Sequence, residues 1–298
     1  MPLSVAASTM TDMQLSFFRP SGDAPSALTP TDLARSMWDD DQMHGVAVSG
    51  ALARGAEARV LDLGRDDLVP ARFTVDLFTV ARMRDCTVTT EVVREGPRIC
   101  LVDAVLTQER DGAEVRVARA SALFLKPTAS TEGSVWAPES RPTPPPLDVA
   151  PVTEDGHVPF FHSSAGWSQS FGLHQNDTRK SSWHTAVAIV AGEPRSPFQA
   201  VASIADGASL VTNWGDRGIE YINTDINLTL ARRPDGLSIG LAAVDRVEVD
   251  GVAVGTAAVF DRTGPLGTAV VTSLANAQRV VDLGGVEYTD GGERRTSA

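Results

Sequence analysis

Asp206 sits in the stretch ASIADGASL, among small and apolar residues. A carboxylate on a buried helix is expensive unless it is paired, hydrogen-bonded or reached by water. Burial would raise its pKa and suit it to general-base work. The plainer alternative is an Asp near the end of a helix, on a solvated side. Thr224, in IEYINTDINL, alternates with Ile222 and Ile226. It is therefore expected on an inward strand face, where its hydroxyl can orient a water, with Asp225 turned the other way. His44-Gly45-Val46 opens an apolar, small-residue stretch. The unpaired N–H groups and dipole of a helix start favour negative charge, including a tetrahedral oxyanion. Gly45 would let the backbone approach closely. The alternative there is a tight turn with His44 as a side-chain cap.

The elements that must position these residues occur twice. In the first half, a strand candidate (LSFFRPSG) precedes QMHGVAVSGALARGAEARVLD, read as one buried helix over residues 44–60. Three β-rich runs follow: RFTVDLFTVAR, CTVTTEVVREGPRICLVDAVLTQER and AEVRVARASALFL. Their apolar residues alternate with charged ones, as in half-buried antiparallel strands. In the second half, FGLHQNDTRK and SSWHTAVAIVAG read as strands, and SPFQAVASIADGASL as a helix over 197–210 with proline near its start. IEYINTDINLTLARR, LSIGLAAVDRVEVDGVAVGTAAVFDR and GTAVVTSLA repeat the strand runs. Between the halves, residues 127–159 are dense in proline and lack apolar periodicity, so they should run extended outside any sheet. The expected organisation is α+β: a unit over 1–126, a linker over 127–159, a second unit over 160–285 and a frayed tail over 286–298. One helix followed by antiparallel strands, present twice, predicts sheets wrapped around helices and joined edge to edge. Superposed from their starts, the helices place Asp206 near Ala53 or Arg54, so the first half has no matching carboxylate. Glu57, one turn on, is a reserve candidate.

The formal charge of −12 over 298 residues disfavours nonspecific binding to nucleic acid or anionic membrane. Cys86 and Cys100 lie in apolar strand-like runs and read as packed thiols. No Cys/His spacing implies a metal, and no cofactor is expected. The opening MPLSVAASTMTDMQ lacks a basic region followed by an apolar core, and no run reaches the length of a membrane span, so the cytoplasm is expected. No P-loop, GxGxxG or GxSxG elbow occurs, which argues against nucleotidases, dinucleotide oxidoreductases and α/β-hydrolases. Trp38, Trp183 and Trp214 read as core or rim, and Arg72, Arg82, Arg84, Arg232 and Arg233 as solvated strand ends that could meet phosphates.

Several motifs together carry a resemblance. The first half has FFRP and then W-x(5)-HG-x(4)-GALARGAE; the second has ADG on its helix and INTDINLTLARRP on the next strand. In this order, over about residues 15–278, the chain resembles the double hot-dog acyl-CoA thioesterases of the bacterial thioesterase II type. The resemblance implies hydrolysis of a fatty or branched acyl-CoA by water held by an Asp, a Thr and a Gln, at one site where the halves meet. It implies acyl-CoA as partner, a role in lipid metabolism and a possible homodimer. Asp206 matches the Asp and Thr224 the Thr. At the Gln position Val271 or Thr272 stands instead, and Thr272 is the residue able to do chemistry. His44, Gly45 and Val46 would bind the substrate oxyanion. The missing Gln leaves an alternative, a hot-dog protein that binds acyl-CoA or another lipid without hydrolysing it.

Overall fold

Helix α1 spans Gly45–Asp62 and buries Ala47, Val48, Gly50, Ala51, Leu52, Ala53 and Ala56. Apolar residues on so much of its circumference suit a helix enclosed by other elements. His44 caps it: Nδ1 accepts from the Ala47 amide at 3.0 Å, while Nε2 lies 2.9 Å from the Leu33 carbonyl. The computed structural model describes residues 15–276, 278–288 and 294–296. The opening segment 1–14, and with it the reading that it is no signal peptide, lies outside the described residues.

The first half contributes strands β1 (Ser16–Pro20), β2 (Ala27–Pro30), β3 (Val69–Leu77), β4 (Cys86–Gly96), β5 (Ile99–Arg110) and β6 (Ala113–Leu125). After β6, residues 126–159 hold no strand or helix. The second half begins with β7 (Phe160–Ser163), β8 (Gly166–Ser168), a one-turn helix α2 (Phe171–His174), β9 (Ser181–Thr185) and β10 (Ala188–Val190). Helices α3 (Pro197–Ile204) and α4 (Gly207–Asn213) follow. Next come β11 (Trp214–Gly215), β12 (Gly218–Ile219), β13 (Tyr221–Asn223), β14 (Asp225–Leu230), β15 (Ser238–Val249), β16 (Val252–Asp261) and β17 (Gly264–Ala275). Within the expected tail, β18 (Val286–Tyr288) and β19 (Arg294–Thr296) pair as an antiparallel hairpin.

Two expectations of local structure change. FGLHQNDTRK is not a strand, because its polar side chains bind nearby groups instead of a ladder. The His174 ring is held between Ser163 Oγ and Ser168 Oγ, and the buried Lys180 donates to the Asn176 and Thr178 carbonyls. The single helix expected over 197–210 is two. Across Ala205 and Asp206 the amides of Asp206, Ala208 and Ser209 bond three residues back, a local 3₁₀ tightening that divides α3 from α4.

Among the described residues, a sheet of 15 strands runs through both halves. β3 and β14 form its seam, antiparallel from Asp225 opposite Asp76 to Thr229 opposite Arg72. A second junction pairs β1 with β10 in parallel, Phe18 opposite Val190. α1 lies against β4, β5 and β6, and α4 against β15, β16 and β17, while α1 and α3 pack on each other. Ser49 Oγ donates to the Ala202 carbonyl at 2.7 Å across that helix pair. Phe198 of α3 is buried with its ring edge-on to Phe73 and Phe124 of the first half. The Pro-rich segment is pinned from outside: Arg262 donates to the Pro145 and Ala150 carbonyls. Trp183 and Trp214 are core residues, and Trp38 packs partly buried beside Trp214.

Candidate active site

The break between α3 and α4 turns the Asp206 side chain toward the start of α1. The Val46 amide donates to its carboxylate, and Asn223 Nδ2 donates to Oδ1 at 3.0 Å. A carboxylate from one half thus meets the helix start of the other. α1 has no acidic residue in its own first turn, so Asp206 supplies the negative charge its dipole favours. Gly45 makes the approach possible. A Cβ there would lie 2.5 Å from Asp206 Cγ and closer still to Oδ1. Desolvation pushes the carboxyl up to about 6, opposed by the Asn223 and Val46 hydrogen bonds.

Among the other first-turn amides of α1, Ala47 and Val48 turn back to His44, leaving Gly45 as the remaining donor candidate. His44 occupies both ring nitrogens in capping, and burial holds its pKa down. Its place is structural, at the base of the helix start.

Thr224 is not on the inward face. It is exposed, between β13 and β14, with its Oγ1 donating to the Thr272 carbonyl at 3.2 Å. The cause is an extra residue in this strand: Asn223 pairs with Ser273, but Asn227 pairs with Val270. The bulge breaks the alternation on which the inward placement rested. Asp225 is not simply solvated; its Oδ1 accepts from the Thr272 amide at 2.7 Å. On β17 it is Val271 that is fully buried, level with the inward Ala269 and Ser273, whereas Thr272 is only half-buried. Thr272 therefore joins Thr224 away from the carboxylate.

Asn223 is the partner that the sequence concealed. Its only signal was a polar Asn-Thr-Asp triplet between Ile222 and Ile226. His184 of β9 also comes beside Gly207, bonded to Ser182 Oγ at 2.8 Å and pushed down to about 3 by burial. Glu57 accepts from Gln199 of α3 at 2.9 Å, and Arg54 forms a bidentate ion pair with Glu193. Arg232 is held by the buried Asp261, Arg233 donates to the Leu68 carbonyl, and Arg82 lies beside Asp41. No group of three or more His, Cys, Asp or Glu able to hold a metal occurs among the described residues.

The family model of the acyl-CoA thioesterase N-terminal domain matches residues 34–125, and that of the C-terminal domain residues 137–274. No curated relative matches the sequence. Among solved structures, an acyl-CoA thioesterase II from Mycobacterium marinum is 14% identical, covers 78% of this chain and 89% of its own, and has a TM-score of 0.54. A hot-dog-fold protein from Alicyclobacillus acidocaldarius is 16% identical, covers 84% of this chain and 92% of its own, and has a TM-score of 0.57. At such identities the likeness establishes the hot-dog fold, in its α+β form. The two matched domains, in the order that the family requires, make this chain a member of the acyl-CoA thioesterase family and a thioester hydrolase.

Proposed function

We propose that the chain is a double hot-dog enzyme hydrolysing a fatty or branched acyl-CoA to the free acid and coenzyme A, with Asp206 activating the water. One observation carries this reading: the Asp206 carboxylate is held between the two halves against the start of α1, where burial pushes it up to about 6. At neutral pH it is ionised, yet basic enough to accept a proton in the transition state. Water loses a proton to Asp206 as its oxygen bonds to the thioester carbon. The carbonyl becomes an oxyanion, received by the Gly45 amide, the first-turn donor at the positive end of α1 that neither His44 nor the carboxylate engages. Collapse breaks the carbon–sulfur bond, and the proton passes from Asp206 to the leaving thiolate. Atoms balance as one water consumed, one acid and one thiol released.

The reading assigns His44 the task of fixing the helix start and Val46 that of holding the base. It gives Thr224 and Thr272 no chemical step. A cytoplasmic place in lipid metabolism goes with the substrate class. No described helix is long and apolar enough to cross a membrane. The test is thiol release from acyl-CoAs of increasing chain length by wild type and Asp206→Asn. Loss of a general base typically costs about 10²–10⁴-fold in rate. Unchanged turnover in the variant would remove Asp206 from the mechanism.

A further inference from the structure

We infer that Asn223 is the positioning residue of this site, its carboxamide holding the Asp206 carboxylate in place of the carboxamide that the last strand lacks. The inference rests on the hydrolytic reading of Asp206 and goes beyond it. Three observations carry it. Asn223 Nδ2 lies 3.0 Å from Asp206 Oδ1, with a second acceptor, the Asp225 carbonyl, at 3.4 Å to fix its rotation. Asn223 is the last residue of β13, immediately before the extra residue that shifts the strand register. The bulge turns Thr224 outward and leaves Asn223 directed at the α3–α4 break. Opposite it on β17 stands Ser273, whose hydroxyl is engaged by Asn213, and the next inward residue, the buried Val271, brings no polar group to the site.

A carboxylate offers about four lone-pair positions. The Val46 amide and Asn223 take two, which fixes the carboxylate plane and leaves positions free for water. Losing the Asn223 donor would release that plane and favour the protonated acid.

The other titratable groups on the elements packed around Asp206 do not substitute for Asn223. His184 beside Gly207 is kept neutral by burial, and so is the capping His44. Asp225 is turned to the Thr272 amide, while Arg54 and Glu57 of α1 are engaged by Glu193 and Gln199. Arg246, beyond Asn213, stacks on Tyr221.

The experiment compares kcat against pH for wild type, Asn223→Ala and the near-isosteric Asn223→Asp, with Asp206→Asn in parallel. Asn223→Ala removes the donor. Asn223→Asp replaces it with a second carboxylate and keeps the shape, so the comparison stands if the alanine variant does not fold. Both should move the acid-side midpoint upward, by about one pH unit for the alanine variant. A one-unit move makes the loss about five-fold greater at pH 6 than at pH 8. A residue that only supports the fold would lower kcat evenly across pH and leave the midpoint alone. An unchanged or lower midpoint in both variants, with Asp206→Asn inactive, overturns the role of Asn223 and spares the hydrolytic reading. Full activity in Asp206→Asn overturns the hydrolytic reading itself.

Discussion

Replacing Asp206 with asparagine should make the protein more stable as it makes the enzyme worse, and the size of the effect should depend on pH. In the folded chain the carboxyl is raised from 3.8 to about 6. Between those values the folded state holds a proton that the unfolded chain has released, so stability falls as pH rises from about 4 to 6. Two units at 1.36 kcal/mol each give about 3 kcal/mol; partial solvent access at Asp206 lowers this to about 1–3 kcal/mol. Asparagine carries no charge at any pH and escapes the penalty. It also has one acceptor oxygen where the carboxylate has two, so it can lose a hydrogen bond to Val46 or Asn223, costing about 1 kcal/mol at every pH. The decisive quantity is therefore the change with pH in the stability difference between variant and wild type. Urea unfolding of both proteins at pH 4, 5, 6 and 7 measures it. The variant should gain about 1–3 kcal/mol on wild type between pH 4 and 7. A difference that stays flat, or moves toward wild type as pH rises, would refute the argument that Asp206 is a desolvated carboxylate.

Four further outcomes follow from the same geometry. Wild-type kcat should fall on the acid side with a midpoint near pH 6, as Asp206 takes up its proton; a midpoint near 4 would point to a solvated carboxylate. Gly45→Ala should lower thiol release by about 10²-fold or more, the scale of losing a general base, with little loss of stability, because the new methyl group displaces the carboxylate. Near-normal activity would mean that the close approach does not matter. Phe198→Ala should cost about 3–5 kcal/mol in urea unfolding, since its ring fills a pocket between Phe73 and Phe124, and a cost below about 1 kcal/mol would contradict the interlock. Asp261 behaves oppositely to Asp206. Burial alone would raise its pKa, but Arg232 and the Asp235 and Thr263 amides hold it down at about 2. Asp261→Asn should cost about 2 kcal/mol at pH 7, a stability present above pH 4 and fading as pH falls toward 2. An equal cost at pH 3 and pH 7 would count against the ion pair.

The residues differ in how openly the sequence displays them. Asp206 stands out because a carboxylate among small apolar residues needs a reason, and His44-Gly45 because a glycine beside a capping side chain marks a helix start. The strand runs show their alternation plainly. What stayed hidden depends on register. One extra residue near Thr224 reverses which side chains face the helices, and nothing in the local hydropathy of INTDIN reveals it. Val271 and Thr272 could not be separated by motif, but the pairing of β17 with β16 puts them on opposite faces. FGLHQNDTRK has the apolar residues of a strand, yet His174, Asn176 and Lys180 find their partners in local loops and serine hydroxyls.

Arg54 lies nine residues into α1, as Asp206 lies nine residues beyond the start of α3, and it reaches Glu193 just before α3 as Asp206 reaches the start of α1. Two identical chains assembled in this way would have to place the same residue at both positions. Any mutation serving one would be imposed on the other. A single chain carrying both halves is free of that restriction. On the proposed double hot-dog reading, its first half can accept an arginine–glutamate pair that fastens the halves together while the second keeps a base without an ion-pair partner. The covalent strap between residues 126 and 159 would then be what lets one position specialise in reactivity and its twin in cohesion.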